Sequence, residues 1–143
     1  MRPRWIVCED GDEYLSRFGR FLGGEFEFVG ARDFATALRC ATGADGIILD
    51  LDFRRTEPAQ LVDESGSSHA QLPPGERRRL AEMQGVLILR ALRRRGVAIR
   101  ALLCADLDDP AQVRRLEDEL RPLEIVPGSE SVPRTGERLR QRG

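Results

Sequence analysis

The sequence has few cysteines, and their spacing excludes the usual roles of cysteine clusters. Cys8, Cys40 and Cys104 stand far apart in apolar surroundings. An odd number without short paired spacings matches neither a zinc site nor a disulfide framework. We therefore expect three reduced thiols that pack as small buried side chains.

Long apolar runs are missing as well. No stretch approaches the roughly 18 residues that a membrane span needs, and the first residues do not contain the apolar core of a signal peptide. We therefore expect a cytoplasmic protein that makes no membrane contact.

Lysine and asparagine are absent, so all 23 basic residues are arginine. This usage indicates a strong coding bias, and it also leaves every site without a lysine side chain. The formal charge is −1, because 24 acidic residues balance the arginines, and such a chain has no global field that attracts nucleic acid. We expect no nucleic-acid partner. The only histidine, His69, stands among serines and prolines and is interpreted as a solvated loop residue.

The stretch around which the chain is organised is GIILDLDF, at residues 46–53. Its three aliphatic residues run directly into the acidic alternation of Asp50 and Asp52. A short apolar run bounded by turn-forming and basic residues is typical of a strand buried on both faces of a parallel sheet. The carboxylates then lie at the carboxyl end of the strand, which is where open α/β sheets bind ligands.

Apolar segments and helix-periodic segments alternate along the rest of the chain. The predicted strands are residues 4–8, 25–29, 46–53, 98–104 and 123–126, and the predicted helices are 13–22, one between Asp33 and Gly43, 80–95, one between Pro110 and Pro122, and 129–142. This alternation specifies right-handed crossovers and a parallel sheet covered on both faces. We predict one α/β domain over 1–143, with its core at about 4–128. Its five-stranded sheet is doubly wound in the flavodoxin-like order 2-1-3-4-5.

The segment from Arg54 to Arg79 is rich in proline, glycine and serine and has little periodicity. Its few apolar residues include Leu61 and Val62, which are predicted to pack locally. Such a segment buries too little apolar surface to offset the entropy of ordering it. We predict a long mobile loop over about 54–79, inserted after the third strand.

Acidic residues follow the first and third predicted strands, which are neighbours in this sheet order. Glu9 and Asp10 therefore come beside Asp50 at one edge. Carboxylates at such range raise each other's pKa and cost stability unless a cation joins them, and oxygen ligands suit Mg²⁺. A carboxylate next to Mg²⁺ is also a plausible nucleophile toward phosphorus.

In its order of motifs the chain resembles the receiver domain of bacterial two-component response regulators. The segments that carry the resemblance are IVCEDGDEYL, IILDLDF, MQGVLILRALRRRGV, ALLCADLDDP and IVPG, between residues 6 and 128. The resemblance implies that Asp50 is the phosphoacceptor, that Asp10 binds Mg²⁺ directly with Glu9 behind it, and that the backbone carbonyl of Asp52 is a third metal contact. It also implies a non-enzymatic signalling module in a phosphorelay.

Several positions depart from the family pattern. Cys104 stands where the family has serine or threonine, Val126 where it has lysine, and Leu123 where it has the switch aromatic. Asp50 and Gly85 are 35 positions apart, more than the family usually has, which is the basis for the predicted insertion. The cis peptide of the family is expected at the bond from Val126 to Pro127.

These departures change the charge balance that a phosphorylated receiver needs. Receivers balance the phosphoryl group with Mg²⁺, a lysine and a hydroxyl donor, and here a valine and a weak thiol donor replace the last two. We therefore expect an atypical receiver that acts mainly by protein–protein interaction, binds Mg²⁺ weakly and has impaired phospho-switching. An arginine from 54–79 is a candidate substitute cation.

Two other functions stay open at this point. One is an ordinary phospho-accepting receiver that uses Asp50 as a phosphorelay switch. The other is a Mg²⁺-dependent phosphatase with Asp52 as its acid, although the order of the later motifs argues against it. The expected partner is a histidine kinase or another signalling protein. A homodimer is also expected through the fourth predicted helix, the fifth strand and the fifth helix, with a mixed-charge face of Gln112, Arg114, Arg115, Glu117 and Glu119.

Overall fold

The computed structural model describes residues 1–69 and 71–141, and its five strands form one parallel sheet. The strands are β1 Arg4–Cys8, β2 Glu27–Ala31, β3 Gly46–Asp50, β4 Arg100–Cys104 and β5 Leu123–Val126. The helices are α1 Glu13–Leu22, α2 Phe34–Ala41, α3 Pro74–Glu82, α4 Gln84–Arg94, α5 Pro110–Glu119 and α6 Val132–Arg140. The sheet order β2-β1-β3-β4-β5 confirms the predicted doubly wound α/β fold.

The register of the sheet aligns the carboxyl ends of its inner strands. Cys8 pairs with Leu49, Asp50 pairs with Cys104, and Cys104 pairs with Val126. Because all of these strands are parallel, the residues that follow them emerge at the same edge.

Side chains alternate along each strand and therefore build a separate core on each face of the sheet. Ile47 and Leu49 of β3 pack on the face covered by α2, α3, α4 and α5. Ile48 packs on the opposite face, with Trp5, against α1 and α6. Each of these buried β3 side chains contributes about 1.5–3 kcal/mol of hydrophobic stabilisation. Both faces of the sheet are covered, as predicted.

One helix was predicted over 80–95, and the structure replaces it with α3 and α4, separated at Met83. In an unbroken helix the Gly85 N–H would bond the Ala81 carbonyl. Instead, the Gly85 N–H donates to the carbonyl of Leu51 at 3.0 Å, and the Ala81 carbonyl accepts from the Phe53 N–H at 2.8 Å. The backbone that leaves β3 therefore takes over the missing helical bond, and the prediction of a single helix was wrong.

Residue 85 must be glycine at this crossing. A Cβ there would overlap the backbone carbonyl of Asp50. The start of α4 therefore lies directly against the end of the strand that carries Asp50.

The structure confirms the packing of Leu61 and Val62 within the loop predicted over 54–79, and it shows that the prediction was wrong at the end of that loop. A 3₁₀ turn at Pro58–Gln60 leads into Leu61 and Val62, which are 2% and 5% exposed and belong to the core. Helix α3 begins at Pro74, ahead of the predicted start at Leu80, because its proline and the following polar residues suit a first helical turn. That 54–79 is an insertion, and that the rest of it is mobile, stay predictions. Ala70 lies outside the described residues.

Smaller differences concern the ends of elements. Strand β2 begins two residues later than predicted, because the N–H groups of Glu25 and Phe26 both donate to the Leu22 carbonyl, each at 3.0 Å. Strand β4 begins at Arg100, two residues later than predicted. The last helix spans Val132–Arg140 within the predicted 129–142, of which residue 142 lies outside the described residues.

The cis peptide was predicted at Val126–Pro127, and this was wrong. In the part of the chain that the structure describes, the cis peptide is Arg121–Pro122, ahead of β5. The Val126 carbonyl accepts the Ala105 N–H at 2.9 Å, one hydrogen bond beyond the end of β4. Among the described residues, no helix is both long and apolar enough to cross a membrane.

Candidate functional site

The acidic residues predicted to form a site lie at the carboxyl edge of the sheet. Glu9 and Asp10 follow β1 directly, Asp50 is the last residue of β3, and Asp52 comes two positions later. The structure therefore places all four acids at the edge where the sequence predicted them. Their hydrogen bonds show that each carboxylate has a different environment.

Glu9 holds the first turn of α1. Its side chain is buried, and its two oxygens accept from the N–H groups of Tyr14 at 3.1 Å and Leu15 at 2.9 Å. These are N–H groups that a helix cannot satisfy internally. Asp12 occupies the N-cap position of α1 without a side-chain cap bond. Burial raises the pKa of Glu9, and the two N–H donors partly oppose that rise.

Asp10 is paired with an arginine from the segment after β3. The backbone N–H of Arg55 donates to Asp10 Oδ2 at 2.9 Å, and Arg55 Nη2 donates to Asp10 Oδ1 at 2.8 Å. The Asp10 side chain is only 4% exposed. Both of its oxygens are therefore occupied by donors from one residue.

The same guanidinium reaches the first turn of α1. Arg55 Nη1 lies 2.7 Å from Glu13 Oε1, and Nη2 lies 3.1 Å from Glu13 Oε2. These hydrogen bonds lower the pKa of Glu13 to about 2 and raise the pKa of Arg55. Arg55 is thus shared between two carboxylates and stays fully charged.

The carboxylate of Asp52 accepts hydrogen bonds from Arg54, the residue before Arg55. The Arg54 backbone N–H donates to Asp52 Oδ1 at 2.9 Å, while Nη2 and Nε donate to Oδ2 at 2.6 and 3.1 Å. Both Asp52 oxygens therefore accept hydrogen bonds from Arg54, and the phosphatase alternative, which uses Asp52 as its acid, stays untested.

Asp50 has no ion pair within residues 1–69 and 71–141. Its Oδ1 accepts the N–H of Leu51 at 2.9 Å. Burial raises the pKa of Asp50, the carboxylates of Asp10 and Asp52 add to that rise, and the Leu51 N–H opposes it. Asp50 is therefore the partly buried carboxylate at this edge that is left to react.

A cavity of about 420 Å³ opens beside Asp50. Its lining residues are Tyr14, Asp50, Leu51, Asp52, Cys104, Ala105, Asp106, Gly128 and Ser129. Asp106 Oδ1 accepts the Gly128 N–H at 3.1 Å and adds a third carboxylate to the walls. Basic residues do not line this cavity in the part of the chain that the structure describes.

The two positions where the resemblance implies a hydroxyl and an ammonium are both buried. Cys104 is 7% exposed, and burial together with the charge of Asp50 raises the pKa of its thiol to about 12. Val126 is 1% exposed and packs in the core cluster on the α1 and α6 side. Leu123, at the position of the switch aromatic, is half-buried. None of these side chains can supply a positive charge to Asp50.

As arranged, these residues do not fit a divalent cation. Glu9 gives both oxygens to α1, Asp10 gives both to Arg55, and Asp52 gives both to Arg54. Among the described residues, no three acidic, histidine or cysteine side chains are grouped so that they could hold a metal. Metal ligation by Asp10, Asp50, Asp52 and Glu9 stays a prediction that requires the arginines to move.

Sequence reasoning missed three residues of this site. Arg55 was included only in a general expectation of an arginine from 54–79, although Arg54 and Arg55 directly follow the acidic stretch. Asp106 stands two positions after Cys104, in the segment ALLCADLDDP, and was not assigned to the site. Tyr14, whose hydroxyl donates to the Gly128 carbonyl at 3.4 Å, gave no signal in the sequence.

Comparison with known proteins relates this fold to solved structures. No family model and no curated protein matches the chain. Its fold is similar to the receiver domain of the Francisella response regulator 1452, with a TM-score of 0.65 and 14% identity over 96% of this chain and 93% of that chain. It is similar to the Vibrio cholerae chemotaxis protein CheY4, with a TM-score of 0.65 and 14% identity over 97% of each chain.

A third similar structure is the BeF3-activated receiver domain of Klebsiella pneumoniae RstA, with a TM-score of 0.62 and 16% identity over 96% of this chain and 95% of that chain. Many of the similar structures are response-regulator receiver domains. At these identities the likeness concerns the fold. The chain has the fold of CheY-like receiver domains.

Proposed function

We propose that this chain is an atypical receiver-like signalling module that acts mainly by protein–protein interaction and has impaired phospho-switching. The observation that supports the proposal is the set of side chains around Asp50. The cavity beside Asp50 is lined by the buried Cys104 thiol and by the carboxylates of Asp52 and Asp106, while Val126 is buried at the end of β5 and offers no cation. This environment disfavours the added negative charge of a phosphoryl group.

A phosphoryl group on Asp50 brings about two negative charges into the cavity. The cavity walls already carry Asp52 and Asp106, and a protonated thiol is only a weak hydrogen-bond donor. Electrostatic stabilisation of a transferring group is commonly several kcal/mol per well-placed donor or cation, so its loss makes the transfer slow.

Switching requires a contact that differs between the two states of Asp50. A lysine or hydroxyl at the ends of β4 and β5 would gain such a contact, but Cys104 and Val126 are part of the core on the α1 and α6 side. Phosphorylation of Asp50 would therefore form no new contact with the side chains of Cys104 or Val126. The output of the module then depends on binding.

We propose that the binding surface lies on α5, β5 and α6, and that the partner is a histidine kinase or another signalling protein. The exposed charge on α5 is more basic than the sequence implied. Glu119 pairs with Arg90 at 2.7 Å, and Glu117 accepts the Ile125 N–H at 3.0 Å. Arg114 and Arg115 stay exposed and are available to an acidic surface. A second copy of the chain is the alternative occupant of this surface.

The test is the mass of the intact protein after incubation with acetyl phosphate and Mg²⁺. We expect slow or no modification of the wild type and none of Asp50→Asn. The double variant Cys104→Thr with Val126→Lys should be modified faster, because a lysine at the end of β5 supplies the missing cation. Thermal melts of all variants control for folding, since Val126 is buried.

The opposite outcome defines the second candidate function. If the wild type acquires stoichiometric phosphate at Asp50 and its partner affinity changes with it, the chain is an ordinary phospho-accepting receiver. The half-buried position of Asp50 at the cavity and its raised pKa are compatible with a nucleophile there, so this alternative is kept.

A further inference from the structure

The pairing of Arg55 with Asp10 joins the segment that follows β1 to the segment that follows β3. Asp10 follows β1, whereas Arg55 follows β3, and 45 positions separate them in the chain. Arg55 contributes both a backbone and a side-chain donor to the same carboxylate, at 2.9 and 2.8 Å. Two donors from one residue, on a side chain that is 4% exposed, make a specific contact rather than an incidental surface pair.

The backbone next to Asp10 is shaped around this guanidinium. Gly11 lies against it, and a Cβ at that position would meet Glu13 Oε2 at 2.5 Å and Arg55 Nη2 at 2.6 Å. A side chain at position 11 would push the flexible ends of Arg55 and Glu13 out of these positions, so glycine leaves both carboxylates within reach of Arg55 without adjustment. Gly11, Asp10 and Glu13 thus form a cradle for one planar cation.

We propose that Arg55 is an internal cation that closes the acidic site, and that a divalent cation gains access to Asp10 only when Arg55 leaves. The proposal rests on the proposed function, because it concerns the regulation of the same receiver-like site. Its reason is that the Arg55 guanidinium already neutralises the Asp10 carboxylate and donates to both of its oxygens, which disfavours a second cation at the same carboxylate.

The exchange also has a structural consequence. While Arg55 is seated, the backbone of the segment after β3 is held against the first turn of α1 through Asp10 and Glu13. Release of Arg55 frees that connection. The seated Arg55 therefore holds the segment that begins at Arg54 in place.

The neighbouring Arg54 provides a matched control. It is also exposed, also follows β3 and also pairs with a carboxylate, but that carboxylate is Asp52. Arg54→Ala removes the same charge as Arg55→Ala from nearly the same place. A difference between the two variants therefore reports the specific release of Asp10 and not a general change of field.

The experiment is titration of the full chain with Mn²⁺, detected by electron paramagnetic resonance, without phosphodonor or partner. We expect weak binding by the wild type, about tenfold tighter binding by Arg55→Ala, which corresponds to about 1.4 kcal/mol, and no such gain for Arg54→Ala. Adding Asp10→Asn to Arg55→Ala should abolish the gain. Equal affinities of wild type and Arg55→Ala, or equal gains for both arginine variants, would overturn the proposal.

A second measurement uses the wild type and does not depend on whether any variant folds. The Nε–H signal of Arg55 in a nitrogen-15 spectrum should move or broaden as Mg²⁺ approaches saturation, because the guanidinium leaves Asp10. An unchanged signal at saturating Mg²⁺ contradicts the exchange. Since neither measurement uses phosphate transfer, the internal cation can fail while the proposed function stands, and the reverse also holds.

Discussion

The side-chain amide of Gln84 bonds both the N–H and the carbonyl of Val62. Gln84 Oε1 accepts from the Val62 N–H at 2.9 Å, and Gln84 Nε2 donates to the Val62 carbonyl at 3.0 Å and to the Leu80 carbonyl at 3.1 Å. Gln84 is 1% exposed. One buried amide therefore satisfies the backbone of the segment after β3 where that segment enters the core.

Replacing this amide should destabilise the protein. Gln84→Ala leaves the Val62 N–H and carbonyl buried without partners and opens a cavity, which together cost about 2–4 kcal/mol. Gln60→Ala is the control, because Gln60 is exposed on the 3₁₀ turn. Guanidinium unfolding measures both variants. If Gln84→Ala lowers the free energy of unfolding by less than about 0.5 kcal/mol, the hydrogen bonds of the Gln84 amide to Val62 are not needed for stability.

The N-cap residues of α1 and α2 should differ in how much they contribute to stability. The Asp33 side chain accepts the Thr36 N–H at 2.8 Å, whereas Asp12 occupies the equivalent position of α1 without a side-chain cap bond. Asp33→Ala should therefore cost about 1 kcal/mol, and Asp12→Ala should cost much less. Thermal unfolding of the pair checks this, and equal losses would contradict the assignment of Glu9 as the residue that holds α1.

The thiol of Cys104 should be inert in the folded protein. Its pKa is raised to about 12, and that of Cys8 is raised as well, mainly because burial disfavours the thiolate, which is the reactive form. In a Cys40→Ala variant, we expect almost no labelling by a disulfide reagent at pH 8, and two labels after denaturation. Rapid native labelling of Cys104 would show that the cavity exposes it more than its 7% indicates.

The Cys104 thiol should also make the free energy of unfolding depend on pH. The native state keeps the Cys104 proton up to about pH 12, while the unfolded state releases it near its ordinary value of 9.0. The native state therefore binds more protons between these values, and stability falls as the pH rises through that range. A Cys104→Ala variant should show a shallower loss above pH 9.

Asp50 should cost stability when it is ionised. Because burial raises its pKa, the native state retains the proton above the ordinary aspartate value, and stability falls as the pH rises through that interval. Asp50→Asn keeps an oxygen for the Leu51 N–H and removes the charge. In a chelating buffer at pH 7 we expect it to melt at a higher temperature than the wild type, with the difference shrinking at acid pH. A lower melting temperature at pH 7 would contradict this.

The proposed self-association surface can be tested at one residue. Arg115 is exposed on α5, and in a dimer through α5, β5 and α6 its reversal to glutamate should weaken association. Sedimentation of the wild type and of Arg115→Glu measures this. If the wild type is a dimer and the variant sediments identically, the surface lies elsewhere.

The sheet could be predicted from the sequence because its signals are local. Each inner strand is a short apolar run that ends in an acid or a turn, and α1 ends at the predicted Leu22 before a pair of glycines. These signals also place Asp10 and Asp50 at one edge, since parallel strands share their direction.

The rest of the site depends on contacts between distant parts of the chain. The break between α3 and α4 exists because Leu51 and Phe53 bond to backbone groups of that helix pair. The position of the Arg55 side chain depends on its hydrogen bond to Asp10, and the sequence separation of the two residues does not predict that contact. Local patterns could therefore predict which acids gather, but not which arginines neutralise them.

The bond between the Gly85 N–H and the Leu51 carbonyl means that the excursion from β3 to α4 starts and finishes at the same point in space. The two ends of this segment are therefore held together by a backbone hydrogen bond. The length of the segment is not set by the distance it must cross, because that distance is one hydrogen bond. The exposed turn of this segment around Glu64 and Ser65 is thus a place for grafting a foreign recognition sequence, provided that Leu61 and Val62 stay in the core.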